Sequence, residues 1–238
     1  MDYCVVIAAA GQGKRMRAGR NKQFITLGKW PVIVHTMNVF QKDANCKEMV
    51  IVTSPQERTD FEHLINQYEI TKVTKIVNGG KERQESVYRG LKQLSCEREI
   101  VLIHDGARPF IESDQIAQVT KAAVHHGAAV LAVPVKDTIK REKEMKVTET
   151  VDRSSLWAVQ TPQAFRLSLI KKAPAYAQER GITATDDASL VEQLGDPVAI
   201  VPGDEHNIKL TTPHDLLVAR AILKKRGESG FDSNWTRF

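Results

Sequence analysis

The sequence predicts an α/β fold: one three-layer domain on a mostly parallel, twisted sheet, with a protruding β-hairpin arm. Three observations carry this. Val5 to Ala10 is an apolar run without alternation, the pattern of a strand buried on both faces. From there to Val133, short apolar strands alternate with stretches of helical spacing, which implies right-handed crossovers. Charge then dominates Lys136 to Asp152 between short alternating pieces, which reads as a hairpin leaving the sheet. The arrangement is Rossmann-like, and ligands of such sheets bind outside the carboxyl ends of the strands.

The elements follow in order. After the first strand, Gly11-Gln12-Gly13 makes a tight turn into a cationic loop. Pro31 to Phe40 reads as a helix entered at proline. Met49–Thr53 is a β-branched strand, and Ser54-Pro55 opens a helix running to about Tyr68. Lys72–Val77 is a third strand, ending in Asn78-Gly79-Gly80. Glu82 to Leu94 is helical, with Val87, Leu91 and Leu94 on one face. Ile100–Ile103 is a fourth strand, stopping at His104-Asp105-Gly106. Glu112–Val124 is a helix and Ala128–Val133 a fifth strand. Beyond the hairpin, Leu156–Gln163 returns as an apolar segment. Arg166–Ala177 and Ala188–Leu194 read as helices, Val198–Val201 and Asn207–Thr211 as strands, and Pro213–Lys225 as an amphipathic helix. One domain thus spans 1–226, with an arm over about 136–156 and a polar tail at 227–238.

Composition narrows the function. The chain has 238 residues, a full complement for one core, and a net charge of +5. That charge favours anionic partners, and small phosphorylated molecules satisfy it. There is no basic stripe interleaved with aromatics, so nucleic acid is not expected. The first apolar run is too short to span a membrane, and an acidic residue stands where a secretory leader would be basic. Cys4, Cys46 and Cys96 have no C-x-x-C spacing, which points to neither a zinc site nor a disulfide framework and fits a cytoplasmic protein.

The densest signal is the loop after the first strand. Glycines bring backbone N–H groups close to an anion, and Lys14, Arg15, Arg17, Arg20 and Lys22 then crowd like charge together. A polyphosphate would neutralise it. The loop is not a P-loop, because Arg15 stands where Ser or Thr should hold magnesium. It is not the dinucleotide fingerprint either, because Met16 replaces the third glycine and Thr53 ends the second strand instead of an acid. Asp105, at a strand tip beside glycine, is the candidate magnesium ligand, or else a turn-capping aspartate. Arg108, Arg153, Thr185 and Lys209 recur on later loops. Each alone is compatible with a solvated face, and Lys209 with an edge-strand charge. No Ser-His-Asp or Cys-His order is present, so the chemistry implied is positioning and charge stabilisation without a covalent nucleophile.

Motifs from Val5 to Thr212 carry a resemblance. They are Ala9-Ala10-Gly11-x-Gly13-x-Arg15-Met16, Lys22-Gln23, Gly79-Gly80-x-x-Arg83-x-x-Ser86-Val87, His104-Asp105-x-Ala107-Arg108-Pro109, Thr150-Val151-Asp152-Arg153, Thr161-Pro162-Gln163, Thr185-Asp186 and Asn207-Ile208-Lys209. The chain resembles nucleotidyltransferases with a glycosyltransferase-A-like fold, and in particular the 2-C-methyl-D-erythritol 4-phosphate cytidylyltransferase family. The resemblance implies that Ala9, Ala10, Gly11, Gly13, Lys22, Gly80, Ser86 and Asp105 bind CTP. It implies that Arg15, Lys22, Arg153 and Lys209 serve catalysis, with Mg2+ at Asp105. Arg108, Arg153, Thr161, Thr185 and Lys209 would then hold a polyol phosphate, and the arm would pair two copies so that Arg153 serves the neighbour's site. The family's usual proline before the lysine is Asn21 here. The sister family that uses ribitol 5-phosphate shares the scaffold, and a non-catalytic nucleotide-binding protein is a remoter alternative.

Overall fold

The computed structural model describes residues 1–11, 21–95, 99–181 and 184–227. Gly13, Arg15, Met16 and the rest of the cationic loop before Asn21, as well as Cys96 and most of the tail, lie outside the described residues. Seven strands form one sheet: β1 (Tyr3–Ala8), β4 (Cys46–Thr53), β5 (Val73–Asn78), β6 (Ile100–Asp105), β7 (Ala128–Pro134), β10 (Trp157–Arg166) and β11 (Ala199–Pro202). Their order across the sheet is β11-β7-β10-β6-β1-β4-β5. All run parallel except β10, which is antiparallel to both β6 and β7. The strand pattern does not signal this reversal; it follows from the hairpin, which returns the chain beside the strand it left.

The unbroken apolar strands put side chains into both layers. Val5 and Ile7 of β1 pack on one face with Ile33, Met37 and Phe40 of α1 (Val32–Lys42). Phe61 of α2 (Arg58–Gln67) and Ile116 of α4 (Ser113–His126) join the same layer. Val6 points the other way, to Val87 and Leu91 of α3 (Arg83–Gln93), with Ile170 of α5 (Leu167–Glu179) and Val191 of α6 (Asp187–Gln193). Period-two alternation along one strand thus builds two cores. A third cluster seats α7 (Pro213–Lys225) on Leu27, Val32, Phe110 and Leu210.

Two elements differ from the sequence reading. A small hairpin, β2 (Thr26–Leu27) with β3 (Trp30–Pro31), turns at Gly28, whose φ of 65° explains the glycine. Asn207–Thr211 is irregular rather than a strand. Its polar groups go elsewhere: the buried Asn207 amide donates to Thr161 O at 2.9 Å, and Leu210 N–H donates to Ala107 O at 2.9 Å. Cys46 is a buried free thiol, whereas Cys4 is disulfide-bonded, which corrects the expectation that the cysteines form no disulfide.

The charged interruption does form a hairpin, β8 (Ile139–Lys143) with β9 (Lys146–Val151), in a two-stranded sheet of its own. Arg141 pairs with Glu149 across it at 2.7 Å. Nearly every residue of it is exposed, including Met145 and Val147.

Candidate active site

Register places the suspect loops together. Ala8 stands opposite Asp105 on one side and Val52 on the other, and Thr53 stands opposite Asn78. The loops after β1, β5 and β6 therefore emerge on one edge, around a cavity of about 190 Å³. Ala10, Gly11, Lys22, Gly80, Ser86, Asp105 and Lys209 line it, together with Gln23 and Arg83. Ala9 is buried just behind, its N–H bonded to Val52 O at 2.7 Å.

Each wall has a local cause. A Cβ on Gly79 would lie 2.7 Å from the Ala10 Cβ and 2.9 Å from the Ser86 Oγ, so only glycine lets these loops meet. Ser86 Oγ accepts the Gly80 N–H at 3.0 Å and donates to Glu82 O, fixing that turn to the start of α3. Asn21 shows what stands in for the proline: its Oδ1 accepts the Gln23 N–H, capping the 3-10 turn Lys22–Phe24. Its Nδ2 ties Gly11 O to Glu57 at 3.1 and 2.6 Å, closing the base of the cationic loop. Lys22, only 9% exposed, donates from Nζ to Leu210 O at 2.8 Å. The irregular segment 207–211 thus anchors one cation by its backbone and supplies another, Lys209.

Asp105 is the electrostatic centre. Lys209 Nζ lies 2.6 Å from Oδ2, Arg83 Nε 3.5 Å from Oδ1 and Arg108 Nε 3.9 Å from Oδ2. Burial alone would raise this carboxyl, but the three cations outweigh it and hold it well below the usual carboxylate range. Arg83 also reaches Asp187 at 2.7 Å, through an ion pair whose alignment falls short of a hydrogen bond. Burial raises the Asp187 carboxyl against the pull of Arg83. His104, behind Asp105, is fully buried, and burial pushes its pKa down to about 4. Thr161 sits between them: its Oγ1 accepts the Asp105 N–H at 3.0 Å and lies 3.2 Å from His104 Nδ1.

The single chain does not bring every sequence-predicted residue to the cavity. Arg108 turns inward, donating to Asn207 O at 2.6 Å. Thr185 borders a separate cavity of about 620 Å³. Arg153 is exposed at the base of the arm, its guanidinium on Lys136 O. Sequence reasoning assigned no role to Arg83 or Asp187, although Arg83 stood within a quoted motif. The available signal was a cation at the first residue of a helix, where the macrodipole disfavours it. Among the described residues no three metal-binding side chains cluster, and a magnesium ion held by one carboxylate plus substrate phosphates needs no more than Asp105.

Comparison with known proteins gives the family. The model of the IspD family, 2-C-methyl-D-erythritol 4-phosphate cytidylyltransferase, matches residues 3–225. The chain belongs to this family. A curated relative of that name from Bacillus pumilus is 59% identical, covering 94% of this chain and 97% of its own. Another from Geobacillus kaustophilus is 57% identical over 95% and 99%. The crystal structure of the enzyme of that name from Thermus thermophilus superposes with a TM-score of 0.77 at 34% identity, covering 94% of this chain and 100% of the other. The family's α/β scaffold, with its mostly parallel sheet, is the one the strand pattern predicted.

Proposed function

We propose that the protein transfers the cytidylyl group of CTP to 2-C-methyl-D-erythritol 4-phosphate. The products are 4-diphosphocytidyl-2-C-methyl-D-erythritol and pyrophosphate, in non-mevalonate isoprenoid precursor biosynthesis. The observation that carries this reading is the cavity where the Gly79 turn and the Lys22–Lys209–Asp105 constellation converge, in a chain of this family. CTP lies with its base against Ala10, Gly11, Gly80 and Ser86, where glycine permits close backbone approach. Its triphosphate lies toward Lys22, with Arg15 and Gly13 of the preceding loop assigned by motif. The acceptor phosphate is already an anion near neutral pH and needs no general base. One of its oxygens bonds to the α-phosphorus of CTP as the bond from that phosphorus to the β-phosphate's bridging oxygen breaks, and pyrophosphate departs. Lys22, held by Leu210 O, and Lys209, held by Asp105, are preorganised donors for charge on the transferring phosphate. Asp105 is the residue that would hold Mg2+, which when bound neutralises phosphate charge.

In this reading residues 1–226 form the transferase domain, and Thr161 positions Asp105 rather than touching substrate. The acceptor is held by Lys209, Thr185 and Arg153, with Arg108 supporting the segment that carries Lys209. Arg153 reaches the site of a second copy through a homodimer built on the arm. Exposed Ile139, Met145, Val147, Trp157 and Val159 along the arm and its return support that pairing. A cytoplasmic location goes with substrates this charged, which do not cross membranes; no helix among the described residues is long and apolar enough to span one. The test is pyrophosphate release from CTP with methylerythritol phosphate against ribitol 5-phosphate, and from UTP in place of CTP. Turnover confined to CTP and methylerythritol phosphate supports the reading. Preference for ribitol 5-phosphate overturns the acceptor, comparable turnover with UTP overturns the base, and no release overturns the enzyme.

A further inference from the structure

We propose that Arg83 is a positioning residue that holds the Asp105 carboxylate in the cavity wall and ties it to the Thr185–Asp187 segment. The proposal rests on the transferase reading above. Arg83 is the first residue of α3, where aligned backbone N–H groups disfavour a cation, so the position is not explained by the helix. Its guanidinium spans two carboxylates from distant parts of the chain. Nε lies 3.5 Å from Asp105 at the end of β6, and Nη1 lies 2.7 Å from Asp187 at the start of α6. Asp187 is 1% exposed, and Arg83 is its cation among the described residues. Arg83 also lines both the cavity at Asp105 and the one that Thr185 borders.

The segment around Thr185 is held on two further sides. Asp186 caps α6 by accepting the Ser189 N–H at 3.0 Å, and its other oxygen takes the Gln163 amide at 2.6 Å. Gln163 in turn accepts the Ala188 N–H at 3.0 Å. Gln84, next to Arg83, accepts the Ala184 N–H at 3.3 Å. The start of α3 thus contacts both the Asp105 wall and the Thr185 segment, as β10 does through Thr161 and Gln163, and Arg83 is the side chain that joins the two carboxylates directly. A planar fork suits this, since it can address two carboxylates at fixed separation, whereas an ammonium is a point charge. Displacement of a catalytic wall by about 1 Å can cost roughly a hundredfold in rate, so a tether remote from the reacting atoms still sets turnover.

Three variants separate positioning from mere stability: Arg83→Gln, Arg83→Lys and the double variant Arg83→Gln/Asp187→Asn. Each is measured for melting temperature and for kcat and KM with CTP and the methylerythritol phosphate acceptor. Arg83→Gln leaves Asp187 buried without its cation, and loses both melting temperature and turnover. The double variant removes both charges, so its melting temperature recovers toward wild type. If Arg83 positions Asp105, kcat/KM of the double variant nonetheless stays at least about tenfold down. Arg83→Lys, which keeps charge but cannot fork, is stable and likewise slow. Recovery of activity along with stability in the double variant, or an Arg83→Lys enzyme within about threefold of wild type, overturns the positioning role and leaves the transferase reading intact. A wild-type enzyme that makes no product overturns both.

Discussion

Gly79→Ala tests whether the close approach of the β1 and β5 loops builds the nucleotide cavity. The added methyl would sit 2.7 Å from the Ala10 Cβ and 2.9 Å from the Ser86 Oγ. Carbon–carbon contacts relax at about 3.5–4.0 Å, so the two loops must separate by roughly 1 Å. Overpacking of this kind costs about 1–3 kcal/mol. For a chain of this length that is about 2–4 °C per kcal/mol, or a melting temperature lower by roughly 2–12 °C. The same displacement moves Ala10 and Ser86 relative to bound nucleotide, and kcat/KM for CTP falls by up to about a hundredfold. Gly11→Ala is the companion, because a Cβ there meets nothing within 4 Å among the described residues. Its stability should stay within about 0.5 kcal/mol of wild type, while a methyl added to this cavity-lining residue should weaken CTP binding. Differential scanning calorimetry and pyrophosphate release read both quantities. A Gly79→Ala protein with wild-type melting and wild-type kcat/KM would refute the close-approach argument. A fully active Gly11→Ala protein would remove Gly11 from the ligand's path.

Lys22→Ala and Arg15→Ala should each lower kcat by roughly a hundredfold to a thousandfold, with CTP affinity falling less; steady-state rates within about threefold of wild type would exclude both from charge stabilisation. His104 binds a proton in the unfolded chain below its ordinary value of about 6.5, but resists it in the fold until about 4. The unfolded state therefore holds more protons in that window. Stability falls by roughly 3 kcal/mol as pH drops through it, and His104→Gln should flatten that part of the melting-temperature profile; unchanged slopes would refute the assignment. Mixing inactive Arg153→Ala with inactive Lys22→Ala subunits should restore partial activity, because a heterodimer with crossing arms has one intact site. No recovery after exchange confirmed by mass would return Arg153 to its own subunit or to the solvent.

What was legible in the sequence was local. Unbroken apolar strands, glycine turns at Gly11 and Gly79 and the residue types at strand tips each signal within a few positions. The rule that ligands bind at carboxyl ends then gathers the loops without knowledge of the fold in detail. What was not legible depends on contacts far apart in the chain. Lys209 alternates in sequence like a strand residue, but its segment gives its backbone to Lys22 and Ala107, which no local pattern can show. Arg108 has the composition of a surface arginine, yet it is drawn inward by Asn207 O and Asp105. The direction of β10 depended on where the hairpin folds back. Arg83 was visible as a residue and not as a role, because its two partners lie 22 and 104 positions further along.

The charges at this edge are a poor solution for folding alone. Among the described residues, Arg83, Arg108 and Lys209 face the buried Asp105, and Arg83 also the buried Asp187. Replacing buried ion pairs by packed apolar side chains is often neutral or stabilising, so stability does not account for them. Their sign does account for them. Asp105 is shared by three cations, which leaves this wall in positive excess. A ligand bringing several phosphate charges completes the balance that these side chains leave open. Conflicts with local rules are concentrated here: a cation opens α3, a lysine is buried, and a glycine is required by contact at 2.7 Å rather than by its torsions. Such concentration is the mark of a region kept for chemistry at some expense of stability.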